Sequence, residues 1–280
     1  MALEDFIPEI WSARLLKHLD KNLVFKQLVN TDYEGEIRNF GDTVRVNRIG
    51  DITVSPYTGT VADPQALTGD QAVLEINEAS YFNFFVDDVT EAQANPKLMD
   101  AAMERAAFAL ANTVDQYIAG LHAQAGIVLD KGGDGYAVGN SNGKTNPYDL
   151  VIDIVEKMDE NNVPAAGRWL VIPPWFHAAL LKSEEYKLAF QDYKTSGEIP
   201  TIAGIKILAS NNLKTTTIGT ATYHILLAGT NMAITFAQQL SKVEAYRPEK
   251  KFADAVKGLL LYGAKAFYPE SLVKIVAKKA

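Results

Sequence analysis

The amino-acid sequence predicts an α+β fold in which extended elements accompany two compact lobes. Apolar residues recur at helical spacing over about 96–124, which predicts one long helix. From Gly41 to residue 86 the pattern alternates with a period of two, which predicts strands. Helix and strand signals then alternate between residues 147 and 227, as in a compact α/β lobe. The composition, 48% hydrophobic and 22% charged, is that of a folded globular protein.

Composition excludes several classes of protein. The sequence contains no cysteine, which removes disulfides, thiolate metal sites and cysteine nucleophiles. No apolar run approaches the roughly 18 residues that span a bilayer, so we predict no contact with a membrane. The first twenty residues lack the apolar core of a signal peptide, which favours synthesis in the cytoplasm.

The net charge of −7 is unevenly distributed. Residues 241–280 hold nine Lys or Arg against four acids, a charge of +5, which leaves −12 on residues 1–240. An acidic majority argues against a dedicated DNA-binding protein, since phosphate contacts dominate such affinity. The basic end is either a solvated tail or one side of a head-to-tail contact between copies.

The N-terminal region predicts a short amphipathic helix over residues 6–20, beginning at Pro8. Its apolar side carries Ile10, Trp11, Leu15, Leu16 and Leu19. A lone helix of this length is marginal in water, so we expect it to dock on its own body or on a neighbouring copy.

Residues 41–86 predict a long β-hairpin. Val44, Val46, Ile52 and Val54 alternate with polar residues, and residues 55–70 form a tip rich in Pro and Gly. Return strands follow at 72–77 and at 80–86, the second dense in aromatic residues. A two-stranded ribbon is barely stable alone, so this one needs a surface, which another subunit could supply.

The long helix starts at Asn95-Pro96, a cap residue followed by proline at the first helical position. It runs to about Gln124, a rod of about 42 Å at 1.5 Å per residue. Many of its positions are alanine, which lets other backbone pack closely along it. We therefore interpret this helix as a structural spine.

Residues 126–146 are predicted as a surface loop, and a helix follows from Asn146-Pro147 to about Asn162. Trp169–Ile172 reads as a buried strand, and Pro173-Pro174 starts another helix. The remaining predicted elements are a short helix near 184–193 and strands near 202–208, 223–227, 231–249, 259–267 and 272–276.

Four stretches together resemble the major capsid proteins of tailed phages, whose Hong-Kong-type shell fold is shared with cellular encapsulins. They are an arm (Phe6–Ser12 and Val29–Ile37), a loop start (Gly41–Val44), a strand with its turn (Ala203–Ile207 and Ser210–Leu213), and the end of the chain (Thr230–Ala237, Gly258–Lys265 and Pro269-Glu270). Each stretch alone is weak, but their order and spacing cover essentially the whole chain.

The resemblance implies a division of the chain into an N-terminal arm (1–40), an extended β-hairpin loop (41–86), a peripheral domain (87–146 and 236–280) that holds the spine helix, and an axial domain (147–235). It implies a structural protein of the virion capsid that assembles through pentamers and hexamers into an icosahedral shell around double-stranded phage DNA. The alternative is an encapsulin-type cellular nanocompartment shell.

The resemblance also bears on partners. No helical scaffolding segment precedes Phe6, so we expect a separate scaffolding protein together with a portal. Residues 41–96 contain no lysine, so the covalent crosslinking of some relatives is not expected. A cement protein could reinforce such a shell. The DNA inside would be enclosed without sequence-specific binding, and assembly would take place in the host cytoplasm.

Three patterns imitate chemical sites, and we predict no catalytic, cofactor or metal site from them. Gly139–Thr145 has its first glycine one residue too close for a phosphate-binding loop. Asp130–Gly135 resembles a calcium loop but lacks its third-position and twelfth-position ligands. Asp87-Asp88 with Glu91 reads as a solvated acidic face.

The four histidines, His18, His122, His177 and His224, lie on separate predicted elements. Asp115 and His122 could share a face of the long helix, but no nucleophile accompanies them. An α/β enzyme is therefore the less favoured class, and it would require a convergent site that the sequence does not show.

Overall fold

A computed structural model describes residues 24–33, 41, 43–49, 54, 69–87, 98–189, 201–249 and 253–280. Within them the chain forms four α-helices and twelve β-strands in an α+β arrangement. The predicted helix at 6–20, most of the hairpin tip and the Asn95-Pro96 helix start lie outside the described residues.

The long helix is confirmed as α1, Leu98–Gly120, and continues as a 3-10 turn over Leu121–Gln124. Helix α2, Pro147–Glu160, begins where the sequence predicts, because the Asn146 side chain accepts a hydrogen bond from the Tyr148 amide at 2.9 Å. Two shorter helices follow, α3 (Pro174–Lys182) and α4 (Glu184–Ala189).

Strands β1 (Thr43–Ile49) and β2 (Gly69–Glu75) form the predicted antiparallel ribbon, paired from Thr43 with Glu75 to Ile49 with Gly69. The sequence assigns the aromatic strand at 80–86 to the hairpin, and the structure corrects this assignment. As β3 (Glu78–Asp87) it leaves the ribbon and pairs with a distant strand instead. Its alternate residues Phe82 and Phe84 pack against the core around α1, which accounts for the aromatic residues on that face of the strand.

A three-stranded antiparallel sheet lies beside α1, in the order β10–β11–β3. Its long strands are β10 (Ile234–Tyr246) and β11 (Ala253–Ala266), and their register shifts between Leu240 and Lys242. Residues from one face of this sheet and from α1 form a single buried core, in which Ala107 and Ala111 are almost fully buried. These small side chains allow the close approach that the sequence predicts.

A seven-stranded mixed sheet builds the second lobe, with the path β4–β12–β9–β6–β7, while β5 pairs with β12 and β8 with β9. Its strands are β4 (Ile127–Leu129), β5 (Tyr136–Val138), β6 (Arg168–Ile172), β7 (Lys206–Ala209), β8 (Thr215–Ile218), β9 (Ala221–Thr230) and β12 (Leu272–Lys279). Strands β4, β5 and β8 lie in segments where the sequence predicts no strand.

The seven-stranded sheet separates two cores. On strand β6, Trp169 and Val171 belong to the core around α1, whereas Leu170 and Ile172 belong to the core beneath α2 and α3. Alternation along one strand therefore serves both lobes. Because the C-terminal strand β12 is in the same sheet, the end of the chain closes the compact lobe.

Candidate assembly surfaces

The arm is attached to the body through residues 24–30. Phe25 and Leu28, on a 3-10 turn, are buried in the core around α1. Asn30 then pairs with the start of β10, where its amide donates to Ile234 O at 2.9 Å and its carbonyl accepts from the Phe236 amide at 2.9 Å. Residues 24–30 thus tie the predicted arm to the body.

The base of the hairpin covers part of the outer face of the three-stranded sheet, the face turned away from α1. Val44, Leu74 and Ile76 form a small core with Leu261 and Phe267. The Lys265 ammonium donates to Val73 O at 2.9 Å. The ribbon crosses so closely that a Cβ atom at Gly263 would lie 2.3 Å from Glu75 O, so glycine is required there.

None of the residues that the structure describes covers the rest of that outer face, and we call it the open sheet face. It comprises Tyr81, Asn83 and Phe85 of β3, Glu244 and Tyr246 of β10, and Lys257 and Leu259 of β11. The Tyr81 side chain is 78% exposed, Phe85 46% and Tyr246 38%. Aromatic side chains this exposed on neighbouring strands are typical of a protein–protein contact.

An open groove of about 480 Å³ crosses this face, lined partly by Tyr81, Asn83, Lys257 and Leu259. Lys257 lies 2.9 Å from a Glu244 carboxylate oxygen and 5.3 Å from the centre of the Tyr246 ring. The hydrogen bond to Glu244 raises the pKa of Lys257 above its ordinary value. The aromatic rings give the groove apolar surface that a partner can bury, and the Lys257–Glu244 ion pair beside them can orient that partner.

The two loop patterns singled out in the sequence lie at the edge of the compact lobe. In Gly139–Thr145, the amides of Gly139, Lys144 and Thr145 donate to backbone carbonyls, so these N–H groups already have acceptors. In Asp130–Gly135, the Gly135 amide donates to Asp130 O at 2.7 Å and closes the turn.

The structure does not bring the predicted polar candidates together into one site. The His122 Nδ1 atom lies 2.9 Å from Ala119 O, whereas Asp115 bonds to the arm and to Asn212. His224 Nδ1 accepts from Trp175 Nε1 at 3.3 Å. His18, Asp88 and Glu91 lie outside the described residues, as does the side chain of Asp87.

Among the residues that the structure describes, no group of three or more His, Asp or Glu side chains is arranged to hold a metal ion. No helix in the same residues combines the length and the apolar content that crossing a membrane requires.

Sequence reasoning missed the open sheet face. The signal was present in the run Ser80–Val86, where aromatic residues stand at both odd and even positions. A strand with one solvated face alternates apolar and polar residues, so this run indicates that both faces meet a partner.

Comparisons with known proteins agree with this architecture. A family model described as "Phage capsid protein" matches residues 79–275. A comparison with curated protein sequences gave no significant match.

Among solved structures, a protein of Mycobacterium phage Che8 is 27% identical, with a TM-score of 0.73 and 90% of each chain covered. The capsid structure of cyanophage P-SCSP1u is 20% identical, with a TM-score of 0.68, covering 90% of this chain and 86% of that one. A virus-like particle from Pyrococcus furiosus is 16% identical, with a TM-score of 0.55 and coverage of 96% and 98%.

The family match spans more than two thirds of the chain. It includes the long helix and most of the three-stranded and seven-stranded sheets. The fold is thus that of tailed-phage capsid shells, as the sequence resemblance implied, and the weaker likeness to the archaeal particle extends to the fold alone. The chain therefore belongs to the phage capsid protein family, as a major capsid protein of the tailed-phage type.

Proposed function

We propose that this chain assembles through pentamers and hexamers into an icosahedral shell that encloses double-stranded phage DNA. The observation that carries the proposal is the open sheet face. On it Tyr81 is 78% exposed, next to the part of the sheet that the chain's own hairpin base covers. A second copy's hairpin is a matching occupant, because the same sheet face already binds a hairpin at its other end.

The energetics of such a contact suit reversible assembly. One aromatic side chain buries about 150–250 Å² when it is covered, which contributes roughly 4–6 kcal/mol at about 25 cal/mol per Å² before ordering costs. Ordering of chain segments and loss of translational freedom offset much of this gain. Each contact is therefore weak, and a closed shell sums many of them.

We propose a different role in the shell for each successive part of the chain. Residues 1–40 form an arm that lies across a neighbour. Of the extended loop predicted at 41–86, the ribbon of β1 and β2 lies across another neighbour, because β3 belongs to the three-stranded sheet. Helix α1 with the three-stranded sheet forms the peripheral domain. The axial domain is the compact lobe, in which residues 147–235 share one sheet with β4, β5 and β12. The segment 126–146 lines the five-fold and six-fold openings. The other candidate segment, 184–199, starts with helix α4 and continues outside the described residues.

The remaining partners are proposed from the likeness to tailed-phage capsid proteins. A separate scaffolding protein and a portal act during assembly in the host cytoplasm, and a cement protein can reinforce the shell. The subunit has no catalytic role in this scheme. Its net charge of −7 suits a container that holds DNA without gripping it.

The test compares particle formation by the wild type, Tyr81→Ser and Met232→Ser, each co-expressed with its scaffold and imaged by negative-stain electron microscopy. Met232 is the matched control because it is 58% exposed and lies outside the open sheet face. We expect uniform shells from the wild type and the control, and mostly unassembled subunits from Tyr81→Ser. Unassembled wild-type protein of about 31 kDa contradicts the proposal.

Unfolding measured on the free subunits separates assembly from stability. Substitution of an exposed side chain changes the free energy of unfolding by less than about 0.5 kcal/mol, so Tyr81→Ser subunits remain folded. The contents of purified shells distinguish the two container types. Packaged DNA supports a phage shell, and an enclosed enzyme supports a cellular nanocompartment.

A further inference from the structure

The point at which the arm joins the body has a specific anchor. The Phe25 ring is fully buried and meets Trp169 edge-on, with ring centres 6.2 Å apart. Residues 1–23 precede this point in the chain. Whatever fixes Val24 and Phe25 therefore fixes the place from which the rest of the arm starts.

The side chain that holds this junction is Asp115 of α1, which is only 2% exposed. Its Oδ1 atom accepts from the amides of Val24 at 3.2 Å and Phe25 at 3.0 Å. Its Oδ2 atom accepts from Asn212 Nδ2 at 3.0 Å. One carboxylate thus joins the arm, the long helix and a turn of the compact lobe.

An acid at this position needs a reason, because removing a carboxylate from water is unfavourable unless it is fully hydrogen-bonded. Its neighbours Val114 and Ile118 belong to the apolar core, where an aliphatic side chain would pack without that cost. The amides at the start of a helical turn lack acceptors within the turn. Asp115 supplies that acceptor to the arm.

The third partner is itself fixed to the compact lobe. Ser210 Oγ accepts from the Asn212 amide at 3.2 Å, and the Ser210 amide donates to Ile172 O at 2.9 Å. A continuous series of hydrogen bonds therefore leads from strand β6 through Ser210, Asn212 and Asp115 to the arm. Movement of the turn displaces the carboxylate, and the arm with it.

We infer that Asp115 is the positioning residue for the N-terminal arm, and that it ties the arm's exit point to the turn at 210–213. The consequence for shell geometry rests on the proposed function, because only in an assembly does the arm's direction select a neighbour. The local part of the inference concerns the free subunit alone.

Amide hydrogen exchange on the unassembled subunit tests the local part. We expect Asp115→Ala to speed exchange at Val24 and Phe25 about tenfold or more. Asn212→Ala should speed it by a smaller factor, although Asn212 makes no hydrogen bond to residues 24–33, the described part of the arm. Thr113→Ala is the matched control, because the side chain of this exposed residue of the same helix bonds, among the described residues, only to Ala109 O.

Two results overturn the local inference: unchanged exchange at Val24 and Phe25 in Asp115→Ala, or no effect of Asn212→Ala on the same two amides. If Asp115→Ala does not fold, Asp115→Asn serves instead. It keeps one weaker, uncharged acceptor for the arm, so we expect an intermediate rate, and an unchanged rate again overturns the inference.

Electron microscopy of co-expressed particles tests the consequence for assembly. Wild-type protein and Thr113→Ala should give uniform shells, and Asp115→Ala and Asn212→Ala should give irregular or open particles. Uniform shells from both variants overturn the arm-positioning role. Failure of the wild type to assemble overturns the proposed function and leaves the exchange result standing.

Discussion

His177 and His224 both lie in the compact lobe, and burial lowers the pKa of each below the ordinary value of 6.5. His224 uses Nδ1 to accept from Trp175 Nε1, so protonation of that nitrogen would set two donors against each other. His177 Nε2 is buried, and no described residue makes a hydrogen bond to it. Both side chains therefore fit the fold in their neutral form.

This neutrality predicts acid sensitivity of the free subunit. At pH values between the lowered pKa values and about 6.5, the unfolded chain binds more protons than the folded subunit. The free energy of unfolding therefore has its full value above about pH 6.5 and decreases as the pH falls below it. We expect the double variant His177→Gln/His224→Gln to lose this slope. Urea unfolding from about pH 8 to about pH 5.5 measures it, and parallel curves for variant and wild type would contradict the prediction.

Gly263 offers a second test on a single residue. An alanine Cβ would lie 2.3 Å from Glu75 O, so Gly263→Ala must lift the ribbon from the sheet and should destabilise the subunit by about 1–3 kcal/mol. Gly120→Ala is the control, because φ is −66° there and the nearest atom is 3.9 Å away. It should stabilise the helix end by about 0.5–1 kcal/mol. Equal denaturation midpoints for the two variants would refute the steric argument.

The hairpin is the element that best separates folding from assembly. Its base belongs to a small core with Leu261 and Phe267, whereas residues 50–68 connect the last paired residues, Ile49 and Gly69. Contacts at the base thus stabilise the subunit. We propose that the part beyond them serves neighbouring copies.

Replacing residues 50–68 by Asn-Gly tests this separation, because a two-residue loop of that sequence closes an antiparallel pair with the correct twist. We expect the free subunit to melt within a few degrees of the wild type, about 1 kcal/mol in stability. We also expect it to form no closed shells under conditions in which the wild type does. Intact shells from the shortened chain would show that the tip is dispensable.

The elements that sequence predicts well are those with local causes. The spine helix follows from its own apolar spacing, and α2 from the cap at Asn146 with Pro147. Strands β4 and β5 have three residues each and exist because β12 lies beside them, a non-local cause that no short window contains. The same limit applies to β3, whose partner β11 lies some 170 residues further along the chain.

The surfaces show the same limit. Tyr81 stands out in the sequence as part of an aromatic run, but its exposure depends on how far the hairpin base covers the sheet. The sequence places Asp115 on the long helix, on a face that it could share with His122. Its partners, Phe25 and Asn212, are about 90 residues away in either direction, and only the fold brings them together.

At the scale of the whole molecule, the position of the basic C-terminal residues follows from the topology of the sheet. The basic C-terminal strand β12 lies within the seven-stranded sheet, and its Lys278 ammonium stands 4.9 Å from the centre of the Tyr223 ring. Of the two alternatives for the basic end, a solvated tail therefore does not apply to residues 272–279, which form a strand of the compact lobe. Lys274, Lys278 and Lys279 thus have positions set by a strand.

This arrangement predicts weak, salt-dependent contact with DNA. Each phosphate neutralised contributes about −0.9 to the slope of log K against log salt, and a body with net charge −7 opposes the approach of a polyanion. We expect a dissociation constant for duplex DNA weaker than about 100 µM at physiological salt, measured by fluorescence anisotropy. Lys274→Glu/Lys278→Glu/Lys279→Glu should abolish the residual binding at low salt, because those three positions hold positive charge on one strand. Submicromolar affinity at physiological salt would mean that the subunit grips DNA and that the shell is more than a passive container.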